Sequence, residues 1–131
     1  MNRCSFGMAV LALGVAAACN PLAPDQSVVL GVSKLDAPAT ISASSPLTVV
    51  LTVTTGGCTS FDHISVARDA SGASLTAWGI DASKGRKGIA CPDYILDTPH
   101  SYKLDPPFQS QFTVQVQRGR LPPLTATVQV Q

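Results

Sequence analysis

Four cysteines, Cys4, Cys19, Cys58 and Cys91, are the residues best suited to covalent chemistry in this sequence. Cys58 and Cys91 stand 33 positions apart, outside any Cys-x-x-Cys pair, and neither has a histidine within four residues. Redox and zinc motifs need such close neighbours. In an oxidising compartment this spacing therefore favours a structural disulfide between Cys58 and Cys91. By loop entropy such a bridge is worth about 3 to 4 kcal/mol.

Two histidines, His63 and His100, are the residues most suited to binding zinc or copper. Metal ligands usually lie a few residues apart on one element, and these two do not. We expect His63 on the strand face opposite Ile64 and Val66, and His100 in a turn after Pro99, both facing solvent. No metal site is predicted, although copper or zinc handling through His63 and His100 stays open as an alternative function.

A basic cluster and a tryptophan are the remaining candidates for recognition. Lys84, Arg86 and Lys87 crowd one glycine-punctuated loop, where they would attract an anionic headgroup, a polysaccharide or a protein. Trp78 offers a side chain of the kind that leads interface hot spots. Both features also have ordinary uses, as a solvated loop tip and as a packed aromatic. Lys84, Arg86, Lys87 and Trp78 are the candidate binding residues, for a protein or polysaccharide partner.

The composition argues against several classes of function. Nine basic residues, one of them in the N-terminal segment, face eight acidic ones, so no positive excess exists to attract nucleic acid. All eight acids are Asp, which leaves any carboxylate acid–base pair to Asp alone. Nucleophile elbows, zinc-protease motifs, phosphate-binding glycine loops and dinucleotide fingerprints do not occur in the sequence. We therefore predict a protein that is not an enzyme and that has no cofactor.

The first 18 residues have the pattern of an export signal. A charged start with Arg3 is followed by 13 mostly apolar residues from 6 to 18, and small residues stand at the end of the run. A helix that spans a bilayer needs about 20 apolar residues, so the run is too short to stay in the membrane. The sequence predicts a signal peptide over residues 1–18.

The residues Ala16-Ala17-Ala18-Cys19 resemble the lipobox of bacterial lipoproteins, with Ala16 at the position where that pattern has an aliphatic residue. The resemblance covers residues 1–20. It implies a thioether-linked diacylglycerol and an amide-linked acyl chain on Cys19, and two or more chains anchor a protein stably. By the same resemblance, Asn20 in place of Asp favours delivery to an outer membrane or the cell surface. An ordinary secretory signal is the alternative, because the same alanines also fit its cleavage rule.

Cysteine arithmetic favours the lipoprotein interpretation. Cys4 is removed with the signal peptide, which leaves Cys19, Cys58 and Cys91 in the exported chain. An ordinary secreted protein would then keep one unmatched thiol. Acylation of Cys19 leaves an even pair for the disulfide.

The alternation of apolar and polar residues predicts the fold of residues 27–131. Apolar and polar residues alternate over 47–54, over 111–117 and over 124–131, and the last two runs suggest an antiparallel hairpin around a connection at 118–123. A single first strand is expected over 28–32, and two short strands are expected on either side of Pro99. The predicted fold is all-β, a single antiparallel β-sandwich of immunoglobulin-like architecture. The predicted organisation is a signal peptide (1–18), a lipid-anchored tether (19–26) and a β-sandwich domain (27–131).

These observations lead to three functional hypotheses. The first is a lipid-anchored protein of the cell envelope, held in the membrane by Cys19, whose domain binds or scaffolds an unidentified ligand. The second is a periplasmic or surface inhibitor of a secreted hydrolase, since small disulfide-linked sandwiches present rigid loops. The third is the metal-handling protein described above.

Overall fold

The computed structural model describes residues 26–131. The predicted signal peptide, Cys19 and most of the predicted tether lie outside the described residues. Residues 26–131 contain no helix with the length and apolar character needed to cross a membrane. They form nine strands: β1 (Ser27–Val29), β2 (Gly31–Asp36), β3 (Thr40–Ile41), β4 (Leu47–Gly56), β5 (Thr59–Arg68), β6 (Gly72–Asp81), β7 (Ile95–Leu104), β8 (Gln111–Arg118) and β9 (Leu121–Val130).

The nine strands form two sheets, which confirms the all-β prediction. The smaller sheet has the order β2–β4–β7, and the larger has the order β1–β6–β8–β9–β3 with β5 paired to β6 as well. Most neighbours are antiparallel, but β6 pairs with β8, and β3 with β9, in parallel. The predicted antiparallel arrangement is wrong at these two pairings. For β6 and β8 the reason is topological: β7 lies in the other sheet, so the chain crosses over between β6 and β8 and returns in the same direction.

One hydrophobic core lies between the two sheets. Alternate residues of β4, β6 and β8 point into it, as the period of two in the sequence predicts. Both sheets contribute to its fully buried side chains, of which the largest are Phe112, Leu47, Leu51, Leu75, Val49, Val53, Val114, Val116 and Val128. The remaining alternate residues of the larger sheet therefore form its outer face.

The predicted first strand over 28–32 is divided between the two sheets. β1 pairs with β6, and β2 pairs with β4. Leu30 lies at the crossing, where its N–H donates to the carbonyl of Ala77 over 2.9 Å and its side chain is buried. A Cβ at Gly79 would lie 2.6 Å from Leu30 Cδ2, so the absence of a side chain there makes room for the crossing.

The two short strands predicted around Pro99 are one continuous strand, β7. Pro99 lies opposite Thr52 in the middle of β7. β7 is an edge strand of the smaller sheet, where proline is tolerated although it lacks an N–H. His100 consequently lies within a strand, and its predicted placement in a turn is wrong.

The predicted C-terminal hairpin is confirmed, with a shorter connection than expected. β8 and β9 pair antiparallel from Gln111 with Gln129 to Arg118 with Leu121. Only Gly119 and Arg120 lie between the strands, and Gly119 has a φ of 62°, which favours glycine. Pro122 and Pro123 lie inside β9. β3 pairs with β9 at Gln129 and Val130, so β9 is an edge strand where the two prolines lie. Prolines are tolerated at such an edge.

Candidate binding surfaces

The disulfide between Cys58 and Cys91 is confirmed, with a Cα–Cα distance of 5.1 Å. Cys58 lies in the two-residue turn between β4 and β5. Cys91 lies in the segment 82–94 that connects β6 to β7. The bridge therefore holds a long exposed loop against the end of the domain where β4 and β6 finish.

The predicted basic cluster lies in this same loop. Lys84 Nζ donates to the carbonyl oxygen of Ser27 over 2.8 Å, so Lys84 also fastens the loop to the first strand. Arg86 and Lys87 are exposed. Asp81 at the start of the loop accepts bonds from the Ser83 hydroxyl and N–H at 2.6 and 2.9 Å. These bonds hold the pKa of Asp81 below its ordinary 3.8, so the carboxylate stays charged beside the cluster.

Large apolar side chains are exposed next to the basic cluster, which the sequence analysis missed. Ile95 is 80% exposed, and Tyr94 and Leu96 are each 53% exposed. Ile89, within the loop, is also exposed. Soluble proteins seldom expose such groups together unless they contact something. We call this set the basal surface: Lys84, Arg86, Lys87, Ile89, Tyr94, Ile95 and Leu96.

Trp78 lies elsewhere, on the outer face of the larger sheet. It is half-buried, and its indole N–H donates to the Ser65 hydroxyl over 2.8 Å. The register of β5 and β6 places His63 beside it, with the two rings 17° from parallel and 6.4 Å between centroids. Asp62 accepts a 2.8 Å bond from His63 Nδ1, which orients the imidazole. The sequence predicted Trp78 as a binding residue but not these neighbours.

The rest of this outer face carries hydroxyl and amide side chains. Most of the residues that alternate with the buried positions of β6, β8 and β9 are Ser, Thr or Gln, and the others are Gly72, Trp78, Ile80, Leu121 and Pro123. Gln117 Nε2 donates to the Ser74 hydroxyl over 3.0 Å. Asp62 and His63 in β5 border this face beside Trp78. We call it the amide–hydroxyl face: Ser65, Ser74, Thr76, Trp78, Thr113, Gln115, Gln117, Thr125, Thr127 and Gln129.

An open concavity of about 870 Å³ lies at one end of the amide–hydroxyl face. Ser74, Thr113 and Gln115 form part of its floor. Its two charged lining residues already have partners. Arg68 donates to the carbonyl oxygens of Asp105 and Pro107, and Asp69 accepts from Ser71 and Gly72.

The bonds from Ser71 and Gly72 also lower the pKa of Asp69. With both charged groups engaged within the protein, the concavity presents mainly neutral groups to a ligand.

The two histidines lie in different sheets, His63 in β5 and His100 in β7, and each contacts an aromatic ring of the larger sheet. His100 stacks on Phe61 with 3.7 Å between ring centroids and is half-buried, whereas His63 is exposed beside Trp78. The expectation that both histidines face solvent is therefore wrong for His100. Across residues 26–131, no cluster of three or more His, Cys, Asp or Glu side chains is placed to hold a metal ion.

The predicted binding residues therefore belong to two separate surfaces. Lys84, Arg86 and Lys87 lie on the basal surface, and Trp78 lies on the amide–hydroxyl face. The apolar half of the first surface and the neutral character of the second emerge only when the strands are in register. No protein-family model matches the chain, and no curated protein or solved structure matches it either.

Proposed function

We propose that this is a lipid-anchored protein of the cell envelope, held in an outer membrane or at the cell surface by acylated Cys19, whose domain binds a neutral polysaccharide. The Cys58–Cys91 disulfide supports export, because such bonds persist in oxidising compartments. It also uses both thiols of the domain. If Cys4 leaves with the signal peptide, Cys19 is the thiol that remains for a lipid.

We propose further that the two sheets form a sandwich of immunoglobulin-like type. The order β2–β4–β7 corresponds to the A–B–E strands of that architecture, and β9 and β8 correspond to G and F. The order departs from it at β6, which lies between β8 and β5, where that architecture places the F and C strands side by side. The likeness is one of architecture and implies no common ancestry.

The observation that carries the binding proposal is the neutral, hydrogen-bonding character of the amide–hydroxyl face. Ser, Thr and Gln side chains both donate and accept, as sugar hydroxyls do. Trp78 supplies a flat apolar ring beside them, which suits the C–H face of a sugar ring. A charged ligand would find little to pair with in the concavity, because Arg68 and Asp69 are bonded within the protein. A neutral glycan fits this chemistry best.

Cellular fractionation tests the anchor. Cys19→Ser removes the acylation site, so we expect the exported protein to move from the membrane pellet to the soluble fraction. Cys4→Ser is the matched control, because it changes a cysteine of the predicted signal peptide and should leave the protein in the pellet. A Cys19→Ser protein that stays in the pellet through washes that remove peripheral proteins would contradict the proposal.

Retention by insoluble neutral polysaccharides tests the binding face. The exported Cys19→Ser chain should be retained, and Trp78→Ala should weaken retention at least about tenfold, as the loss of a hot-spot aromatic does. Tyr94→Ala is the matched control, since Tyr94 is an exposed aromatic of the basal surface. Thermal melting shows whether Trp78→Ala is folded. If no neutral glycan retains the protein, or if both variants bind equally, the amide–hydroxyl face is not the site.

A further inference from the structure

We infer that the basal surface is a membrane-contact surface, which lies against an anionic lipid bilayer next to the anchor. This inference rests on the proposed lipid anchor, because that anchor places a bilayer within reach. Its occupant is the lipid surface itself.

The chain enters the domain at the basal surface. The Gln26 carbonyl accepts from the Asp81 N–H over 2.9 Å, and the Gln26 side chain lies 3.4 Å from the Ala82 carbonyl. Lys84 bonds to the next residue, Ser27. The first described residues are thus bound to the base of the loop that carries the basic cluster. A lipid anchor on Cys19 therefore keeps this end of the domain near the membrane.

The composition of the basal surface is that of a protein surface at a membrane interface. Such surfaces combine cations, which pair with anionic headgroups, and aromatic and aliphatic side chains, which enter the acyl boundary. Arg86 and Lys87 supply exposed cations. Tyr94, at the end of the loop, and Ile95 and Leu96, on the two faces of the first residues of β7, supply exposed apolar groups.

Three aspartates lie near these cations in the sequence, and two of them are hydrogen-bonded within the domain. Asp81 is turned to Ser83, and Asp97 accepts from the Thr54 hydroxyl over 2.6 Å. Asp93, between the cations and the apolar run, is exposed. Asp93 opposes this attraction with a single charge, so the preference for anionic lipid rests on the two exposed cations Arg86 and Lys87.

The covalent distance to the anchor is short. Gln26 lies seven positions after Cys19, which is at most about 25 Å for a fully extended chain. The basal surface therefore stays close to the bilayer. Contact then needs only weak attraction, because the anchor raises the local concentration.

Vesicle binding by the exported full-length Cys19→Ser protein tests the inference without the lipid anchor. We expect it to co-sediment with vesicles that are about one-third phosphatidylglycerol, more strongly than with pure phosphatidylcholine, and less strongly in high salt. Arg86→Gln with Lys87→Gln should weaken the binding on the order of tenfold or more, since each cation contributes. This pair leaves Lys84 and its bond to Ser27 intact.

A second variant and a control complete the experiment. Ile95→Ser with Leu96→Ser should also weaken binding, whereas Lys103→Gln, an exposed cation at the far end of β7, should not. Melting curves confirm folding. As a second readout, Tyr94→Trp in a Trp78→Phe background should show a blue shift in fluorescence on addition of anionic vesicles.

Three results would overturn the inference: no binding to anionic vesicles, equal weakening by Lys103→Gln, or self-association of the protein through Ile95 and Leu96. None of these bears on Cys19, because the protein tested carries no lipid. Failure of the anchor would appear in the fractionation experiment instead.

Discussion

Loss of the disulfide is expected to destabilise the domain by about 3 to 4 kcal/mol. Replacing Cys58 and Cys91 together by serine removes a cross-link over 33 positions, and the unfolded chain regains the corresponding loop entropy. A domain of this size typically has 5–15 kcal/mol of total stability. The midpoint of thermal unfolding should therefore fall by roughly 10 to 25 °C. Calorimetry or urea unfolding measures the change.

The same double substitution should also release the loop of residues 82–94. Lys84, Arg86 and Lys87 are cleavage sites for trypsin, and the bridge at Cys91 restrains the segment that contains them. We expect faster trypsin cleavage there in the doubly substituted protein at temperatures where it is still folded. The unsubstituted protein treated with a reductant serves as the control and should behave alike. An unchanged urea midpoint in both would show that the bridge contributes nothing to stability.

Truncation of Phe112 is expected to have a comparably large effect, about 3 to 5 kcal/mol for Phe112→Ala. Phe112 is fully buried in β8 and meets Phe108 edge-to-face with 4.9 Å between ring centroids. The Arg68 guanidinium lies 5.3 Å from its ring centre. The substitution therefore leaves a cavity and also removes the packing under Arg68. Urea unfolding gives the difference in the free energy of unfolding.

Two matched variants test whether burial is the cause. Phe108→Ala should cost less, because Phe108 is only half-buried, and Phe112→Leu should cost less because Leu fills most of the space. We therefore expect Phe112→Ala to lower the free energy of unfolding more than either Phe108→Ala or Phe112→Leu does. A Phe112→Ala protein within about 1 kcal/mol of the unsubstituted one would contradict the packing described for this core.

Local patterns in the sequence were sufficient to predict the strands that face one core. β4, β8 and β9 alternate apolar and polar residues, and burial of one face is the direct cause of that alternation. β7 was harder because Pro99 breaks the local pattern, and its place at a sheet edge depends on distant strands. The crossing at Leu30 could not be predicted for a similar reason. A chain that crosses between two sheets leaves a continuous apolar run in the sequence, and such a run has the pattern of a single strand.

The binding surfaces were predictable only in part, and the reason is register. Trp78 and the basic cluster were visible from residue type alone. The Trp78–Ser65 bond and the place of His63 depend on a bulge between Phe61 and His63, which shifts the alternation of β5. The bond from Lys84 to Ser27 joins residues 57 positions apart. No local signal in a single sequence carries such contacts.

The intact mass of the protein, isolated with detergent from a bacterial host that processes lipoproteins, shows directly whether Cys19 carries a lipid. We expect a chain that begins at Cys19, with a mass increased by a diacylglyceryl group and an amide-linked acyl chain. Peptide mapping should place both additions on Cys19. A mature chain with an unmodified Cys19, or one that retains residues 1–18, would contradict the proposed lipid anchor.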